Sequence, residues 1–333
     1  MQTQVALLLH IIKTNFAELQ LAKVFCQILT ITESAAYRKL NGKSDITVAE
    51  FFTLLQHFKI DSSLFLNDEN TYNFEGKLVY KNDTNVEQYF KDTLVFLEKI
   101  EHQNGILYNL SKDVPLFYYF HYTELGWFKV FFMLKYILLD PLYTNKKFAI
   151  QTADHKILDV AKAYSQQYQL VNTVEVWNTE SINTTLHQLE YFIKMEQIND
   201  DELIKKLFGQ LLKTIQLVQH QTKVGKKYTV DKYKNATATD FNLYQNDLYM
   251  AHNSYHLSMP NLEYAFVSFG VFNYIYTTNK KFTDYSKNHF ENIIDKSLGL
   301  VNVQSSSDLF FTKIINKITQ LETVCITSVK ELY

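Results

Sequence analysis

The chain has 333 residues, of which 47% are hydrophobic and 15% aromatic, and its formal net charge at pH 7 is -2. This apolar content excludes an intrinsically disordered chain, and the length predicts two or more domains with sizeable cores. Because the charge is nearly balanced, a chain that is basic throughout is excluded, and any contact with nucleic acid must come from a local patch.

The first part of the chain has the apolar spacing of four short helices. They are predicted over roughly 3–13, 17–29, 32–41 and 47–59. Thr47 and Glu50 have the spacing of a capping box, which defines the start of the fourth helix. The polar stretch that follows breaks the helical pattern. We therefore take residues 1–66 as a domain and residues 67–77 as a linker.

Helical periodicity continues beyond the linker and then gives way to strand-forming sequence. Further helices are predicted from Thr84, which forms a second capping box with Glu87, and near 123–139, 155–168, 181–197 and 200–222. From about residue 240, aromatic and β-branched residues predict strands, followed by helices over 283–297 and 306–327. The predicted fold is mainly α, with a helical sensor or oligomerisation region at 78–225 and a small α+β region at 226–333.

Residues 25–41 have the pattern of two helices joined by a tight turn. Cys26 is small enough for a close helix crossing, and Thr30 with Ile31 supplies the turn. Thr32 is the predicted N-cap of the second helix, and Glu33 complements the positive end of its dipole. This arrangement is that of a helix-turn-helix.

The second helix of this pair has one buried and one exposed face. Helical geometry directs Ala36 and Leu40 into the core, and Gly42 ends the helix. The opposite face carries Ser34, Arg38 and Asn41, with Tyr37 beside them. The exposed face is the one that would lie in a major groove.

Arg38 on this face is the only arginine of the chain. One interpretation is compositional, because lysine, asparagine and isoleucine are abundant here and a single arginine must fall somewhere. The other is functional, because a guanidinium can bond both acceptors on the edge of a guanine, which a lysine does less well. The turn, the caps and the exposed position favour the functional interpretation.

Segment 22–61 resembles the lambda-repressor-like (Cro/C1-type, XRE-like) helix-turn-helix domain. The resemblance lies in the recognition helix, where residues 36–42 read Ala-Tyr-Arg-Lys-Leu-Asn-Gly, and it departs from the common pattern at Cys26 and Thr30. The stretches 109–135 and 266–282 are similar to bacterial regulators in which a long helical region follows this domain. The resemblance implies a transcriptional regulator that binds double-stranded DNA through a five-helix head. The candidate DNA-binding residues are Thr32, Glu33, Ser34, Tyr37, Arg38, Lys39, Asn41 and Lys43.

The head carries little net charge for a DNA-binding domain. Residues 1–66 contain six basic and five acidic residues, which gives +1. Because neutralising phosphates supplies much of the affinity for DNA, we expect a homodimer that doubles the contacts. The first candidate for its interface is 306–327 and the second is 123–139. The apolar residues of the final helix fit either a core or a dimer seam.

The segment 116–143 contains eleven aromatic residues. The pattern favours an ordinary hydrophobic core. The alternative is a cavity between helices for a small-molecule or peptide effector of unknown identity. The residues predicted to line such a cavity are Phe117, Phe120, Trp127, Phe128 and Phe131.

Motifs of catalysis, metal binding and membrane insertion are not found in the sequence. His252 and His256 have the spacing of zinc ligands on a helix, but their segment has the pattern of strand and turn. We therefore expect no metal, no cofactor and no catalytic activity. No 18-residue apolar span lacks charges, and the N-terminal run has no basic segment or cleavage site. These features predict a soluble cytoplasmic protein without membrane contact.

Three functions remain open from the sequence. The first is a sequence-specific transcriptional regulator whose C-terminal region responds to an effector. The second is a protein-interaction scaffold that keeps the head fold without binding DNA. The third is a peptide-sensing regulator with a body like a helical repeat, which is an analogy at the level of the fold only.

Overall fold

The chain divides into two compact units, residues Met1–Asn73 (unit 1) and Phe74–Tyr333 (unit 2). Each unit has its own hydrophobic core. The computed structural model describes residues 2–15, 18–60, 62–65, 72–76, 85–227, 239–248, 253–268 and 274–330. Most of the predicted linker 67–77 and the predicted capping residue Thr84 lie outside these ranges.

Unit 1 is built from short helices at the predicted positions. They are α1 (Gln2–Asn15), α2 (Glu18–Leu29), α3 (Glu33–Leu40) and α4 (Val48–Phe58), followed by a 3₁₀ turn at Ser62–Phe65. Nε2 of Gln4 on α1 donates a hydrogen bond to the carbonyl of Phe65 at 2.6 Å and so links the turn to the first helix. The fifth helix of the predicted head has no counterpart among the described residues of this unit.

Unit 2 combines seven described helices with a sheet. The helices are α5 (Val86–His102), α6 (Thr123–Phe132), α7 (His155–Tyr168), α8 (Asn183–Lys194), α9 (Asp201–Val224), α10 (Lys280–Asp295) and α11 (Gln304–Lys330). The strands are β1 (Ile106–Ser111), β2 (Asn172–Trp177), β3 (Lys226–Lys227), β4 (Thr239–Gln245), β5 (Ser254–Met259), β6 (Leu262–Ser268), β7 (Tyr274–Thr277) and β8 (Leu298–Gly299).

The strands form one mixed sheet. Its described order is β3-β4-β2-β1-β5-β6-β7, and β8 pairs with β4. The three central strands β4, β2 and β1 run parallel, whereas β5, β6 and β7 continue the sheet as antiparallel neighbours. The long connections between the parallel strands contain α6 to α9, as parallel pairing requires crossover segments.

The two faces of this sheet are covered by different helices. Phe290 and Ile293 of α10 pack with Leu110 of β1 and Val176 of β2 on one face. On the opposite face, alternate residues of the same strands, such as Leu107, join the main core with the other helices. The central strands are therefore buried on both sides.

A buried group of polar side chains lies on the face of the sheet opposite to α10. Glu175 of β2 is fully buried and accepts hydrogen bonds from the hydroxyls of Tyr118 (2.8 Å) and Tyr168 (2.6 Å) and from Nε1 of Trp177 (2.9 Å). Lys227 is also fully buried, with its Nζ 3.4 Å from a Glu175 carboxylate oxygen. Burial lowers the pKa of Lys227 to about 7.

Two strands lie where the sequence predicted only helices. β1 and β2 fall inside the region 78–225, so the sheet takes strands from both sides of residue 225. Both are six residues long and are buried on both faces, which removes the polar alternation that identifies a strand. The comparison with a helical-repeat body is therefore wrong, because unit 2 is organised around a sheet.

Most of the apolar residues of both candidate dimer seams belong to the core of unit 2. On α11, Phe311, Ile314 and Ile318 are buried. On α6, Trp127 and Phe131 are buried as well. These residues therefore stabilise the protomer itself.

No helix among the described residues is long and apolar enough to span a membrane.

His256 lies on the face of the sheet that α10 covers. Its ring is fully buried, with the rings of Tyr108 and Phe290 at centroid distances of 5.9 and 6.3 Å. Neither ring nitrogen has a hydrogen-bond partner among the described residues. Burial lowers the pKa of His256 from 6.5 to about 4, with smaller contributions from Glu263, Lys287 and Asp284. His252, the other histidine of the pair with zinc-ligand spacing, lies outside the described residues.

We expect unit 2 to lose stability as the pH falls from about 6.5 to about 4, because unfolded His256 binds a proton that the folded state excludes. Replacing His256 with Phe should remove up to about 3 kcal/mol of this loss. The measurement is urea unfolding at several pH values, followed by tryptophan emission, since both tryptophans lie in unit 2. Exposed His187→Gln is the control, and an equal pH dependence in wild type and His256→Phe would contradict the assignment.

Candidate nucleic-acid interface and ligand cavity

The turn between α2 and α3 is made by a residue in the left-handed region. Thr30 has φ 55°, and the N–H of Ile31 donates to the carbonyl of Cys26 at 3.3 Å. These are features of a Schellman ending, for which glycine is the usual residue. Thr32 follows as the N-cap of α3, and its hydroxyl accepts from the N–H of Ala35 at 3.4 Å. The turn therefore sets where α3 begins.

The buried face of α3 fixes which residues face outward. Ala36 is fully buried and Leu40 is 6% exposed, as the spacing predicts. Both belong to the core of unit 1. The end of α3 is set by Gly42 at φ 66°, where the N–H of Lys43 donates to the carbonyl of Arg38 at 2.7 Å. The side chains that the structure leaves exposed around this helix are Thr32, Glu33, Ser34, Tyr37, Arg38, Asn41 and Lys43.

Arg38 is exposed and, among the described residues, its side chain makes no hydrogen bond or ion pair. Ser34 lies one turn earlier on the same exposed face. Asn41, one turn later, accepts a hydrogen bond from Nζ of Lys13 at 3.4 Å, which brings a second positive charge to this end of the helix. The guanidinium group of Arg38 is therefore available to an external partner.

Lys39 differs from the other candidate residues because it is half-buried and its charge is paired within unit 1. Its Nζ lies 2.9 Å from a Glu50 carboxylate oxygen and also donates to the carbonyl of Asp45. The same Glu50 oxygen accepts from the N–H of Thr47 at 2.7 Å, while the N–H of Glu50 donates to the Thr47 hydroxyl at 3.2 Å. Lys39 thus joins α3 to the predicted capping box of α4.

The predicted pocket residues do not share one site. Phe117 lines a cavity of about 790 Å³ in unit 2 and stacks on the ring of Tyr168 at a centroid distance of 3.8 Å. Phe120, Trp127, Phe128 and Phe131 are buried in the core of unit 2 and are not among the residues that line this cavity.

Polar residues at the cavity wall were not identified from the sequence. Lys129 of α6 is 7% exposed, and its Nζ donates to the hydroxyl of Thr185 at 3.0 Å and to Oε1 of Gln188 at 2.7 Å. Asp113 also lines the cavity and accepts hydrogen bonds from Thr184 and Asn253. The signal in the sequence is a lysine inside a nearly uninterrupted apolar run.

Residues 2–83 match the BetR domain, a family of helix-turn-helix-like DNA-binding regulator domains. The matched segment includes all of the described helices of unit 1 and ends before α5. No curated protein and no solved structure matches the chain. The family match therefore concerns unit 1 and the residues just after it.

We expect Thr30→Gly to raise the free energy of unfolding of unit 1 by about 0.5–1 kcal/mol, because the left-handed region costs a β-branched residue about 1–2 kcal/mol and glycine's extra chain entropy offsets part of that gain. Hydrogen exchange of the α2 and α3 amides in the full chain measures it, since unit 1 has no tryptophan. Lys59→Gly, at φ 50° after α4, is the matched control and should gain less. Faster exchange in Thr30→Gly would show that the threonine side chain stabilises the turn.

Lys39→Met should lower the stability of unit 1 by about 1–2 kcal/mol, since it leaves the largely buried carboxylate of Glu50 without its charged donor. Lys43→Met removes the same charge from an exposed site and should change stability by less than about 0.5 kcal/mol. Hydrogen exchange of the α3 and α4 amides compares the two variants. Equal effects would contradict a structural role for Lys39.

Proposed function

We propose that the chain is a sequence-specific DNA-binding transcriptional regulator in which unit 1 places α3 in the major groove of double-stranded DNA. The observation that carries the proposal is the exposed guanidinium of Arg38, which has no partner among the described residues and lies beside Ser34 on a helix whose start and end are both fixed. The match of residues 2–83 to a family of DNA-binding regulator domains supports the same function. The proposal assigns no catalytic step to the chain and implies a cytoplasmic location.

We propose separate roles for the two lysines at the end of α3. Lys43 is exposed and suits a phosphate contact, whereas Lys39 is engaged with Glu50 and acts through the position of α3. Because the net charge of residues 1–66 is only +1, we propose a homodimer that contacts two half-sites about 34 Å apart. Unit 2 is proposed to provide the sensor and the dimer contacts.

A protein-interaction scaffold is the second candidate function. Val48 and Phe52 of α4 are 58% and 54% exposed and lie one turn apart on the same side of the helix. Tyr37 on α3 is also 56% exposed. Exposed apolar side chains of this kind suit contact with another protein. Failure of unit 1 to bind DNA would favour this alternative.

Arg38→Ala should cost about 1–3 kcal/mol on a selected DNA site and relax the preference at one base pair per half-site. Arg38→Lys should keep most non-specific binding but lose much of the discrimination, because the fork geometry is lost. Fluorescence anisotropy on the selected site and on its single-base variants measures both. Unchanged sequence preference in Arg38→Lys would remove base reading from Arg38 and assign it to Ser34 and Tyr37.

Lys43→Ala is the matched control for this series. It should weaken binding to all sequences alike and reduce the salt dependence by about one unit per head. All three substitutions are at exposed positions, so hydrogen exchange of α3 should be unchanged. A change of base preference in Lys43→Ala would contradict its proposed role at phosphate.

A further inference from the structure

The cavity in unit 2 has the size and lining of a small-molecule site. Its volume of about 790 Å³ falls in the range that holds compact organic ligands. Aromatic side chains from several elements form much of its wall, among them Tyr89 of α5, Tyr164 of α7, and Tyr255 and Tyr274 of the sheet. Such walls favour an apolar body, aromatic or aliphatic, with few polar groups.

One wall of the cavity carries a buried cation. Lys129 donates to two uncharged oxygens, those of Thr185 and Gln188, and its Nζ lies 4.5 Å from the centroid of the Tyr119 ring. Among the described residues, no carboxylate oxygen lies within 4.0 Å of this nitrogen. Burial lowers the pKa of Lys129 to about 7, which reflects the cost of a charge without a contacting counter-ion. An anionic group placed in the cavity would supply that counter-ion.

The exposed Asp92 and Lys99 also line the cavity, but the charged group that acts on Lys129 and limits the charge of the ligand is Asp113. Its carboxylate lines the same cavity and interacts electrostatically with Lys129, although it is held by Thr184 and Asn253 and does not contact the ammonium group. A ligand with two or more negative charges would meet repulsion from Asp113. A single negative charge can pair with Lys129 at the lowest cost.

We propose that the cavity of unit 2 binds a small apolar carboxylic acid as its monoanion, with the carboxylate on Lys129 and the apolar body among the aromatic side chains. The inference deepens the sensor role proposed for unit 2 and rests on it. Binding is measured with the full chain in the absence of DNA. A failure of the cavity to bind the ligand is therefore distinguishable from a failure of unit 1 to bind DNA.

Two fluorescent probes with the same ring system test the need for the charge. 8-Anilinonaphthalene-1-sulfonate carries one negative charge, and N-phenyl-1-naphthylamine lacks it. The anionic probe should bind the wild-type chain at least about 10-fold more tightly, in line with a hydrogen-bonded charge pair. Decanoate should displace it at lower concentration than decan-1-ol does. Absence of binding by both probes, or equal binding by both with equal displacement by both competitors, would overturn the proposal.

Lys129→Met and Lys135→Met form a matched pair of variants. Lys135 lies in the π turn Met133–Ile137 directly after α6 and is also buried, but it donates to the carbonyl of Lys146 and to Gln197 and does not line the cavity. Lys129→Met should weaken the anionic probe about 10- to 100-fold and the neutral probe less than about threefold. Lys135→Met should change the affinity for neither probe. A tryptophan emission spectrum like that of the wild type confirms that both variants fold. Loss of the anionic probe in Lys135→Met alone, or in neither variant, would contradict the role of Lys129.

Discussion

The burial of Ala36 and Leu40 is the constraint on which the proposed interface depends. These two side chains lie one turn apart and lock the rotation of α3 against the core of unit 1. With the rotation fixed, Ser34 and Arg38 must face outward. The left-handed turn at Thr30 and the ion pair of Lys39 with Glu50 then fix the position of α3 along its axis. Core packing, caps and one ion pair together present the guanidinium of Arg38, which no described residue pairs with.

Glu175 and Lys129, two of the buried charged groups of unit 2, differ in how their charge is compensated. Glu175 accepts hydrogen bonds from Tyr118, Tyr168, Thr173 and Trp177 and lies 3.4 Å from Nζ of Lys227, so that its carboxylate is compensated inside the protein. Within the part of the chain that the structure describes, Lys129 has only neutral acceptors, and it lies at a cavity wall. Burying an ion is costly unless it is paired, and the first arrangement meets that cost within the fold. At Lys129 a bound ligand would supply the compensating negative charge, which is why the cavity suits an anion.

Local signals allowed unit 1 to be predicted more completely than unit 2. The caps at Thr32 and Thr47 and the glycine at position 42 act within a few residues, so the helix ends follow from the sequence. β1 and β2 depend on pairing with distant segments and carry Asn109 and Glu175 at buried positions, which hides their strand character. The cavity likewise joins residues far apart in the chain. The pairing of Lys39 with Glu50 depends on tertiary structure, so the sequence alone did not reveal it.

Base reading by α3 can be measured by selection of bound fragments from the native genome, with the full chain as bait. If α3 reads bases through Arg38, the fragments should share a short motif that contains a guanine. In a dimer the motif should recur as two half-sites one helical turn, about 10 base pairs, apart. Fragments without a common motif, or recovery no greater than with an unrelated protein of similar charge, would contradict sequence-specific binding by unit 1.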